Sequence, residues 1–281
     1  MKMFLDQNDL YYERMASSIG DKARLLTHIK GNNVLEIGFG GGELLDILDE
    51  QGHTVYGLDA SEVSVSKISQ NPYSPRVVEA YANEITENFG NEKFDSAILS
   101  SVMHEVFSYG NRDGLHKHSL EAFNDTLRGI RDSLVPGGRI IIRDGVLSAN
   151  WDDKVTLVML NEDVAGVEAY LKLQPFKDRV SLTYQGDNTF LGNLESVTAF
   201  AYTYTWGEAA LPRESQELFG VLTQNEYRAM LEDHGFAMVH SEEYVQEGYI
   251  KALSPKLEIR DMEGNILPLP STNAIWVAEK K

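Results

Sequence analysis

A glycine-rich turn between an apolar run and an amphipathic segment constrains the fold of this chain more than any other feature. The run Asn33 to Ile37 has the composition of a buried strand, and Gly38, Gly40 and Gly42 follow it. Apolar residues then recur with helical spacing from Leu44 to Leu48. Glycines at such a junction allow positive φ angles and let a ligand approach the backbone. The turn therefore predicts a ligand site at the end of a strand.

Alternating strand and helix patterns surround this turn and predict a parallel α/β sheet covered by helices. The expected strands are Asn33 to Ile37, Thr54 to Leu58, Arg76 to Tyr81, Phe94 to Ser100, Arg139 to Arg143, Phe236 to Val245 and Ala274 to Glu279. An amphipathic helix is expected from Leu120 to Leu134, ended by Pro136-Gly137-Gly138. Thr223 to Glu226 has the pattern of a capping box, and Leu257 to Leu267 that of a small hairpin.

Residues 147–220 interrupt the alternation of strands and helices. This segment is rich in aromatic residues, most densely from Phe200 to Trp206, and is too long for a loop in a compact domain. We therefore expect a mostly helical cap insertion, acting as a lid over an acceptor or simply packing as its own core or as a dimer contact. The expected core consists of residues 1–146 and 221–281, with residues 1–30 as a helical cover.

Acidic residues near the glycine turn restrict the ligand that it can hold. Asp59 ends the second expected strand, where an acid accepts hydrogen bonds from a ribose diol. Glu36 precedes Gly38, and Glu43 stands where a dinucleotide-binding fingerprint has its third glycine. A pyrophosphate would be repelled by these carboxylates, whereas a sulfonium cation with an ammonium group would not. The residues favour such a cation over a dinucleotide.

These motifs resemble those of the class I S-adenosylmethionine-dependent methyltransferases. Glu36 to Gly42 match the family's first motif, acid-x-Gly-x-Gly-x-Gly, and Asp59 matches its ribose-binding acid. Phe94-Asp95 and Pro136-Gly137-Gly138 match the family's motifs at the fourth and fifth strands. Over about residues 30–146 and 221–281, the resemblance implies a Rossmann-like, seven-stranded, mostly parallel sheet with helices on both faces and an antiparallel C-terminal strand. It also implies S-adenosylmethionine as cofactor and S-adenosylhomocysteine as product.

The resemblance further implies which residues hold the cofactor. They are Glu36, Gly38, Phe39, Gly40, Gly42, Asp59, Ala60, Tyr81, Ala82, Ser100, Ser101 and, from a helix before the first strand that also carries Tyr11, Tyr12. In Ala80-Tyr81-Ala82-Asn83-Glu84, no acid stands at the place where the family has the acid that meets the adenine amino group. We therefore expect Tyr81, a backbone amide near Ala82 or the side chain of Asn83 to meet the adenine.

The residues that follow strands four and five are expected to face the transferred methyl group, because ligands of open α/β sheets bind at the carboxyl ends of strands. His104 is the candidate general base, since its unperturbed pKa is near neutrality; it can equally close the turn and pack under the cofactor. Glu105 is expected to orient His104 or a substrate amine. Arg143 and Asp144 alternate in direction along a strand, and Asp144 is a candidate substrate contact or salt-bridge partner.

Composition restricts the partners and the compartment. The chain has 25 Lys and Arg against 43 Asp and Glu, a net charge of −18, which disfavours broad adhesion to nucleic acid or anionic lipid. It has no cysteine, so a thiolate nucleophile and a disulfide framework are excluded. His116 and His118 are typical of a solvated loop, and no metal is expected. With no membrane-length apolar run and no signal peptide, we expect a cytoplasmic monomer or homodimer.

The sequence therefore predicts a methyltransferase that acts on an oxygen or nitrogen nucleophile of a small-molecule acceptor. Neither Asn-Pro-Pro-Tyr nor Asp-Pro-Pro-Tyr follows the fourth strand, which disfavours methylation of nucleic-acid amino groups. RNA or tRNA methylation stays an alternative through the basic residues of the insertion, Lys154, Lys172, Lys177, Arg179 and Arg213. A non-catalytic S-adenosylmethionine-binding protein is a second alternative, and a nicotinamide oxidoreductase, disfavoured by Glu36 and Glu43, is a third.

Overall fold

The computed structural model describes residues 19–281, so the expectation for Tyr11 and Tyr12 lies outside the described residues. The strands are β1 (Asn33–Ile37), β2 (Thr54–Asp59), β3 (Val77–Glu79), β4 (Phe94–Ser100), β5 (Leu134–Gly145), β6 (Lys154–Met159), β7 (Thr183–Gly186), β8 (Thr189–Asn193), β9 (Phe236–Tyr244), β10 (Leu257–Arg260), β11 (Ile266–Leu267) and β12 (Asn273–Lys280). The α-helices are α1 (Ile19–Lys22), α2 (Glu43–Glu50), α3 (Glu62–Lys67), α4 (Ile85–Phe89), α5 (Met103–Tyr109), α6 (Glu121–Ser133), α7 (Val164–Leu173), α8 (Leu194–Tyr204), α9 (Leu211–Glu214), α10 (Gln224–Asp233) and α11 (Glu247–Leu253).

Seven of these strands form one sheet in the order β3-β2-β1-β4-β5-β12-β9. The sheet is mostly parallel, with one antiparallel C-terminal strand. Strand β1 pairs in parallel with β2 on one side and with β4 on the other. Chain order reverses beside β1, and ligands of such sheets bind at this point, at the carboxyl ends of the strands. The predicted fold class is therefore confirmed.

The central strands of this sheet are apolar on both faces. Val34, Leu35 and Ile37 of β1 are fully buried, as are Ala97, Ile98 and Leu99 of β4, because helices cover both sides of a parallel sheet. Glu36 breaks the pattern of β1 with a carboxylate that is only 3% exposed. A buried charge costs free energy unless something compensates it, so Glu36 is a candidate functional residue at this end of β1.

Several predicted elements have the expected bounds, and others differ for physical reasons. Strands β1 and β4 begin and end where the sequence predicted. Pro136-Gly137-Gly138 lies inside β5 instead of before it, because a register shift between Phe94 and Ser96 of the neighbouring strand accommodates the extra residues. The capping box is confirmed: the amide of Glu226 donates to Thr223 Oγ1 at 3.3 Å, and the amide of Thr223 donates to Glu226 Oε2 at 2.8 Å.

The chain divides into two compact units. The first extends to Asp144 and also includes Tyr227–Glu242 and Ile275–Lys281. The second consists of Gly145–Glu226 and Glu243–Ala274. It contains a five-stranded sheet in the order β11-β10-β6-β8-β7, in which β10 pairs antiparallel with β11, β6 with both β10 and β8, and β7 with β8. The predicted hairpin at the β10–β11 pair is thus confirmed.

The expected mostly helical insertion also contains strands, which the sequence analysis did not predict. Strands β6, β7 and β8 lie within residues 147–220, between the helices of the same segment. Strand β6 shows the alternation of a half-buried strand, with Val155, Leu157 and Met159 buried. Its partner β10 lies beyond the insertion, so the pairing has no local sequence signal.

The aromatic residues of the insertion mainly build the core of the second unit. Tyr170 and Phe200 are fully buried, and Tyr202 is nearly so. The rings of Phe200 and Tyr204 stack at 5.0 Å between centroids, and the Tyr202 hydroxyl donates to the carbonyl of Pro270 at 3.1 Å. Their density in the sequence is accounted for by packing.

The helices of the described chain are short in relation to a lipid bilayer. Helix α6 has 13 residues, whereas a span needs about 20 apolar ones. Between residues 19 and 281, no helix has the length and apolar character needed to cross a membrane. The cytoplasmic location and the oligomeric state stay predictions.

Candidate active site

The glycine turn after β1 has a backbone geometry that other residues would strain. Gly38, Gly40 and Gly42 have φ angles of 69°, 58° and 88°. The amide of Gly38 donates to the carbonyl of Leu58 at 2.7 Å, so the turn continues the pairing of β1 with β2. A Cβ atom on Gly38 would lie 2.4 Å from Cγ2 of Val102, which is closer than real side chains approach. The turn therefore lies tightly between the ends of β2 and β4.

Asp59 holds this turn in place from the end of β2. Its Oδ2 accepts the amide of Gly40 at 2.9 Å, and its Oδ1 accepts the amide of Ser61 at 2.8 Å. Burial raises the pKa of Asp59 to about 6, and the two backbone hydrogen bonds act in the opposite direction. A carboxylate offers about four acceptor positions, so Asp59 can accept hydroxyl groups of a ligand as well.

Glu36, at the end of β1, carries an uncompensated acceptor. Its Oε2 is buried and has no hydrogen-bond partner among residues 19–281. Burial raises the pKa of Glu36, and the charge of Lys22 lowers it. Lys22 ends α1 and is 8% exposed, and burial lowers the pKa of its ammonium group while Glu36 raises it. Sequence reasoning missed Lys22, because a helix of four residues outside the glycine motif gives no local signal.

His104 and Asp144 form a buried pair at the ends of β4 and β5. Nδ1 of His104 lies 2.6 Å from Oδ1 of Asp144. Oδ2 of the same carboxylate accepts the amides of Val102 at 3.1 Å and of His104 at 3.2 Å. Because an ionised carboxylate only accepts, we assign the Nδ1 proton to His104, which puts the ring's lone pair on Nε2. The structure thus brings two predicted catalytic residues together, and Asp144 contacts His104.

Arg143 connects three segments at the same edge of the sheet. Its Nε donates to Oδ2 of Asp21 at 2.7 Å, and its Nη1 donates to Ser101 Oγ at 2.8 Å. The amide of Ser101, whose φ is 62°, donates to the Arg143 carbonyl at 2.7 Å. Arg143 is 2% exposed. It therefore joins α1 to the turn between β4 and α5, a structural role that the sequence analysis did not assign to it.

The region after β3 contains an acid, but a neighbouring arginine binds it. Arg112 donates to both oxygens of Glu84 at 2.6 Å, and the amide of Tyr81 donates to Glu84 Oε2 at 2.9 Å. The guanidinium carbon of Arg112 lies 4.9 Å from the centre of the Tyr81 ring. Glu84 therefore positions Tyr81, and the Oδ1 atom of Asn83 is buried with no partner in the described chain.

The remaining predicted residues contribute in different ways. Phe39 is buried, with its ring against Gly57, so only its backbone is at the turn. Ser100 is buried, and its Oγ has no partner within residues 19–281. Glu105 is half-buried at the start of α5, and its negative charge raises the pKa of Lys22. Ala60 and Ala82 are half-buried next to Asp59 and Tyr81.

The donor and acceptor set fits a nucleoside that carries a positive charge. Glu36 Oε2 at the end of β1 and Ser100 Oγ at the end of β4, which have no hydrogen-bond partner in the described part of the chain, can each meet a polar ligand group. Asp59 supplies acceptors for a ribose diol. The positive φ angles of the glycine turn keep side chains away from the backbone that such a ligand approaches.

Comparison with known proteins gives a family model and a relative that are both described as methyltransferases. A family model described as a methyltransferase domain matches residues 11–241. An uncharacterized methyltransferase of Synechocystis is 27% identical over 121 residues, which make up 43% of this chain and 50% of that protein. The match thus spans half the length of that curated relative.

Two solved structures with a similar fold are also described as methyltransferases. A putative S-adenosylmethionine-dependent methyltransferase from Listeria monocytogenes aligns over 94% of this chain and 99% of its own, with TM-score 0.53 and 14% identity. A SAM-dependent methyltransferase from Archaeoglobus fulgidus aligns over 99% and 97%, with TM-score 0.51 and 15% identity. At such identities the likeness concerns the fold alone. Together with the family model, these matches confirm the predicted resemblance.

Proposed function

Because the chain belongs to the methyltransferase-domain family, with S-adenosylmethionine as its cofactor, we propose that it methylates an oxygen or nitrogen of a small-molecule acceptor. The observation that carries this proposal is the buried His104–Asp144 pair, joined at 2.6 Å. The pair stands at the carboxyl ends of β4 and β5, near the glycine turn that continues β1. This arrangement supports His104 as a proton acceptor at the edge of the sheet where the nucleoside would bind.

The chain's own residues divide the work of binding the cofactor. Asp59 accepts the ribose hydroxyls, and the backbone from Gly38 to Gly42 borders the nucleoside. Glu36 accepts from the ammonium group, and Tyr81 with Asn83 borders the adenine. When bound, the cofactor supplies a methyl group on a positively charged sulfur, so the protein's main task is to align the acceptor.

His104 removes the acceptor's proton when the nucleophile must lose one. The acceptor's O–H or N–H proton passes to Nε2, and the resulting imidazolium later returns it to water. Asp144 keeps the other proton on Nδ1 and stabilises the imidazolium through the same hydrogen bond. Asp144 thus acts through His104 as a positioning residue.

The charge pattern supports a small molecule over RNA as the acceptor. The net charge is −18. A protein binds a phosphate backbone through lysine and arginine side chains that are not already paired with acids. Two of the five basic residues noted in the insertion pair with acids: Arg179 Nε lies 2.7 Å from Glu195 Oε1, and Arg213 Nε lies 3.9 Å from Glu214 Oε1. That the second unit selects the acceptor stays part of the proposal.

The test of this function is transfer of a labelled methyl group. The protein is incubated with methyl-labelled S-adenosylmethionine and, separately, with the small-molecule and RNA fractions of a cell extract. We expect label in the small-molecule fraction. With H104Q, the amount of label transferred should be at least about 10²-fold lower. H240Q, a change at a more exposed histidine of β9, is the matched control and should transfer normally. Label in RNA favours the first alternative; no label despite cofactor binding favours a non-catalytic protein.

A further inference from the structure

Two stacked histidine rings attach residues 19–28 to the strand at the edge of the seven-stranded sheet. Residues 19–28 consist of α1 and the 3-10 helix Ala23–His28, and they precede β1. The rings of His28 and His240 lie with their centroids 4.8 Å apart and their planes 25° apart. His240 belongs to β9, the last strand in the order of the sheet. Neither histidine has a role in the function proposed above.

Charged side chains from three elements surround these rings. Nη2 of Arg24, in the 3-10 helix, donates to Oε1 of Glu242 of β9 at 2.7 Å. Nε2 of His240 lies 3.7 Å from the same oxygen. Nη1 of Arg139, on β5, donates to the carbonyl of His28 at 3.0 Å. A positive charge on the His28 ring would therefore arise beside two arginines and one carboxylate.

The protonation state of His28 affects how well residues 19–28 dock on the sheet. Burial lowers the pKa of His28, and His240 lowers it further. Arg139 and Arg24 act in the same direction, whereas Glu242 raises this pKa. A base whose pKa is lowered by docking binds protons more readily when the segment is released. Docking is therefore strongest above about pH 6.5, the ordinary pKa of histidine, and weakens as the pH falls below that value.

We propose that the stack of His28 on His240 is a pH-sensitive latch, which holds residues 19–28 on the sheet near neutral pH and releases the end of this segment in mild acid. Neutral rings stack favourably, whereas two protonated rings repel each other. The other end of the segment stays attached, because Nε of Arg143 donates to Asp21 at 2.7 Å. The latch needs no cofactor and is independent of the methyl transfer proposed above.

Amide hydrogen exchange in the whole chain measures this attachment directly. Protection factors of residues 19–28, corrected for the intrinsic pH dependence of exchange, are compared at about pH 7.5 and about pH 5.5. In the wild type we expect them to fall about threefold or more in acid, whereas those of β1 should not fall. H28F/H240F keeps two aromatic rings without a titrating group, so its protection of residues 19–28 should not depend on pH. H53F, at a half-buried histidine between α2 and β2, is the matched control and should respond like the wild type.

The rival explanation is that acid acts on the Arg24–Glu242 ion pair instead of on the rings. E242Q removes this pair together with a charge that favours protonated His28. If the rings form the latch, E242Q should lower protection at both pH values and keep a fall in acid at least as large as that of the wild type. H28F alone keeps one titrating ring and should show a smaller fall, which provides the test if the double variant is unstable. A fall that is absent in the wild type, persists in H28F/H240F or disappears in E242Q would overturn the proposal.

Discussion

The carboxylate of Asp144 fixes both the ring and the backbone of His104. Its Oδ1 lies 2.6 Å from Nδ1, and its Oδ2 accepts the amide of the same residue at 3.2 Å. The ring orientation of His104 is therefore set from β5, the strand next to β4 in the sheet. This relationship connects the end of β5 to the chemistry, and it makes the tautomer of His104 a measurable property.

The first prediction concerns that tautomer. In D144N the amide can donate to Nδ1, which favours the proton on Nε2 and removes the base. We expect methyl transfer to fall by about 10²-fold or more, with affinity for S-adenosylhomocysteine within about threefold of wild type. The ¹⁵N spectrum of His104 should show the proton on Nδ1 in the wild type and on Nε2 in the variant.

D132N is the matched control, because it makes the same chemical change in an exposed aspartate. It should leave both the spectrum and the transfer rate unchanged. Full activity of D144N with a changed tautomer would show that His104 is not the base.

The second prediction concerns the pH dependence of cofactor binding. Burial raises the pKa of Asp59 to about 6, and the ribose hydroxyls bind the ionised form. Affinity for S-adenosylhomocysteine should therefore fall as the pH falls through about 6, and the titration of Asp59 should leave it constant above about pH 7. In D59N the loss of affinity caused by protonation of Asp59 is absent, because asparagine does not titrate. The ratio of wild-type to D59N affinity should therefore shrink from pH 7 to pH 5. Calorimetry across this range measures the ratio.

The raised pKa of Asp59 also makes the free energy of unfolding depend on pH. The raised pKa means that burial disfavours the ionised form, so the contribution of Asp59 to the free energy of unfolding is greatest below about pH 4 and declines as the pH rises through 6. D59N should lack this pH-dependent part of the free energy of unfolding when it is measured by urea denaturation at several pH values.

For cofactor binding, a ratio of wild-type to D59N affinity that is constant from pH 5 to pH 7 would place the ribose site elsewhere.

The third prediction concerns the first glycine of the turn. Gly38→Ala adds a Cβ 2.4 Å from Cγ2 of Val102 at a φ of 69°, and both the contact and the backbone strain cost about 1–3 kcal/mol each. Gly52→Ala has a φ of 88° with nothing within 4 Å, so it carries the strain alone. We expect the free energy of unfolding in urea to fall more for G38A than for G52A.

A second substitution identifies the origin of the difference. V102A should restore part of the stability lost in G38A, because it removes the Cγ atoms that the new Cβ meets. Equal losses for G38A and G52A, or no recovery in the double variant, would show that the turn and the β4–α5 junction are not in contact as described.

The fourth prediction concerns Arg143, whose side chain joins Asp21 and Ser101. R143K keeps the charge but loses the fork that donates in two directions. We expect faster hydrogen exchange in residues 19–28, because α1 loses its connection to β5. R131K, at a more exposed arginine of α6, should exchange like the wild type. Unchanged protection of residues 19–28 in R143K would contradict this role.

The sequence predicted the parts of the site that depend on local pattern. The strands β1 and β4, the glycine turn and Asp59 follow from hydrophobic runs and from the backbone freedom of glycine, which neighbouring residues encode. His104 was a candidate because it follows β4, and the structure supplied its partner Asp144, 40 residues away in the chain.

The parts that were missed depend on contacts between distant segments. Arg143 and Asp21 are separated by 122 residues, and α1 has only four residues, so nothing local indicated that Lys22 would be buried at the site. The sheet of the second unit was missed for the same reason, because β6 pairs with β10 about 100 residues further along. Glu84 was not assigned because its role depends on Arg112.

The proposed function depends on the glycine turn and Asp59 holding S-adenosylmethionine, and this binding can be measured without knowing the acceptor. The most direct measurement is calorimetric titration of the purified protein with S-adenosylhomocysteine and, in parallel, with NAD. We expect saturable binding of S-adenosylhomocysteine, weakened about tenfold or more in D59N, and no measurable binding of NAD. Binding of NAD without binding of S-adenosylhomocysteine would contradict it.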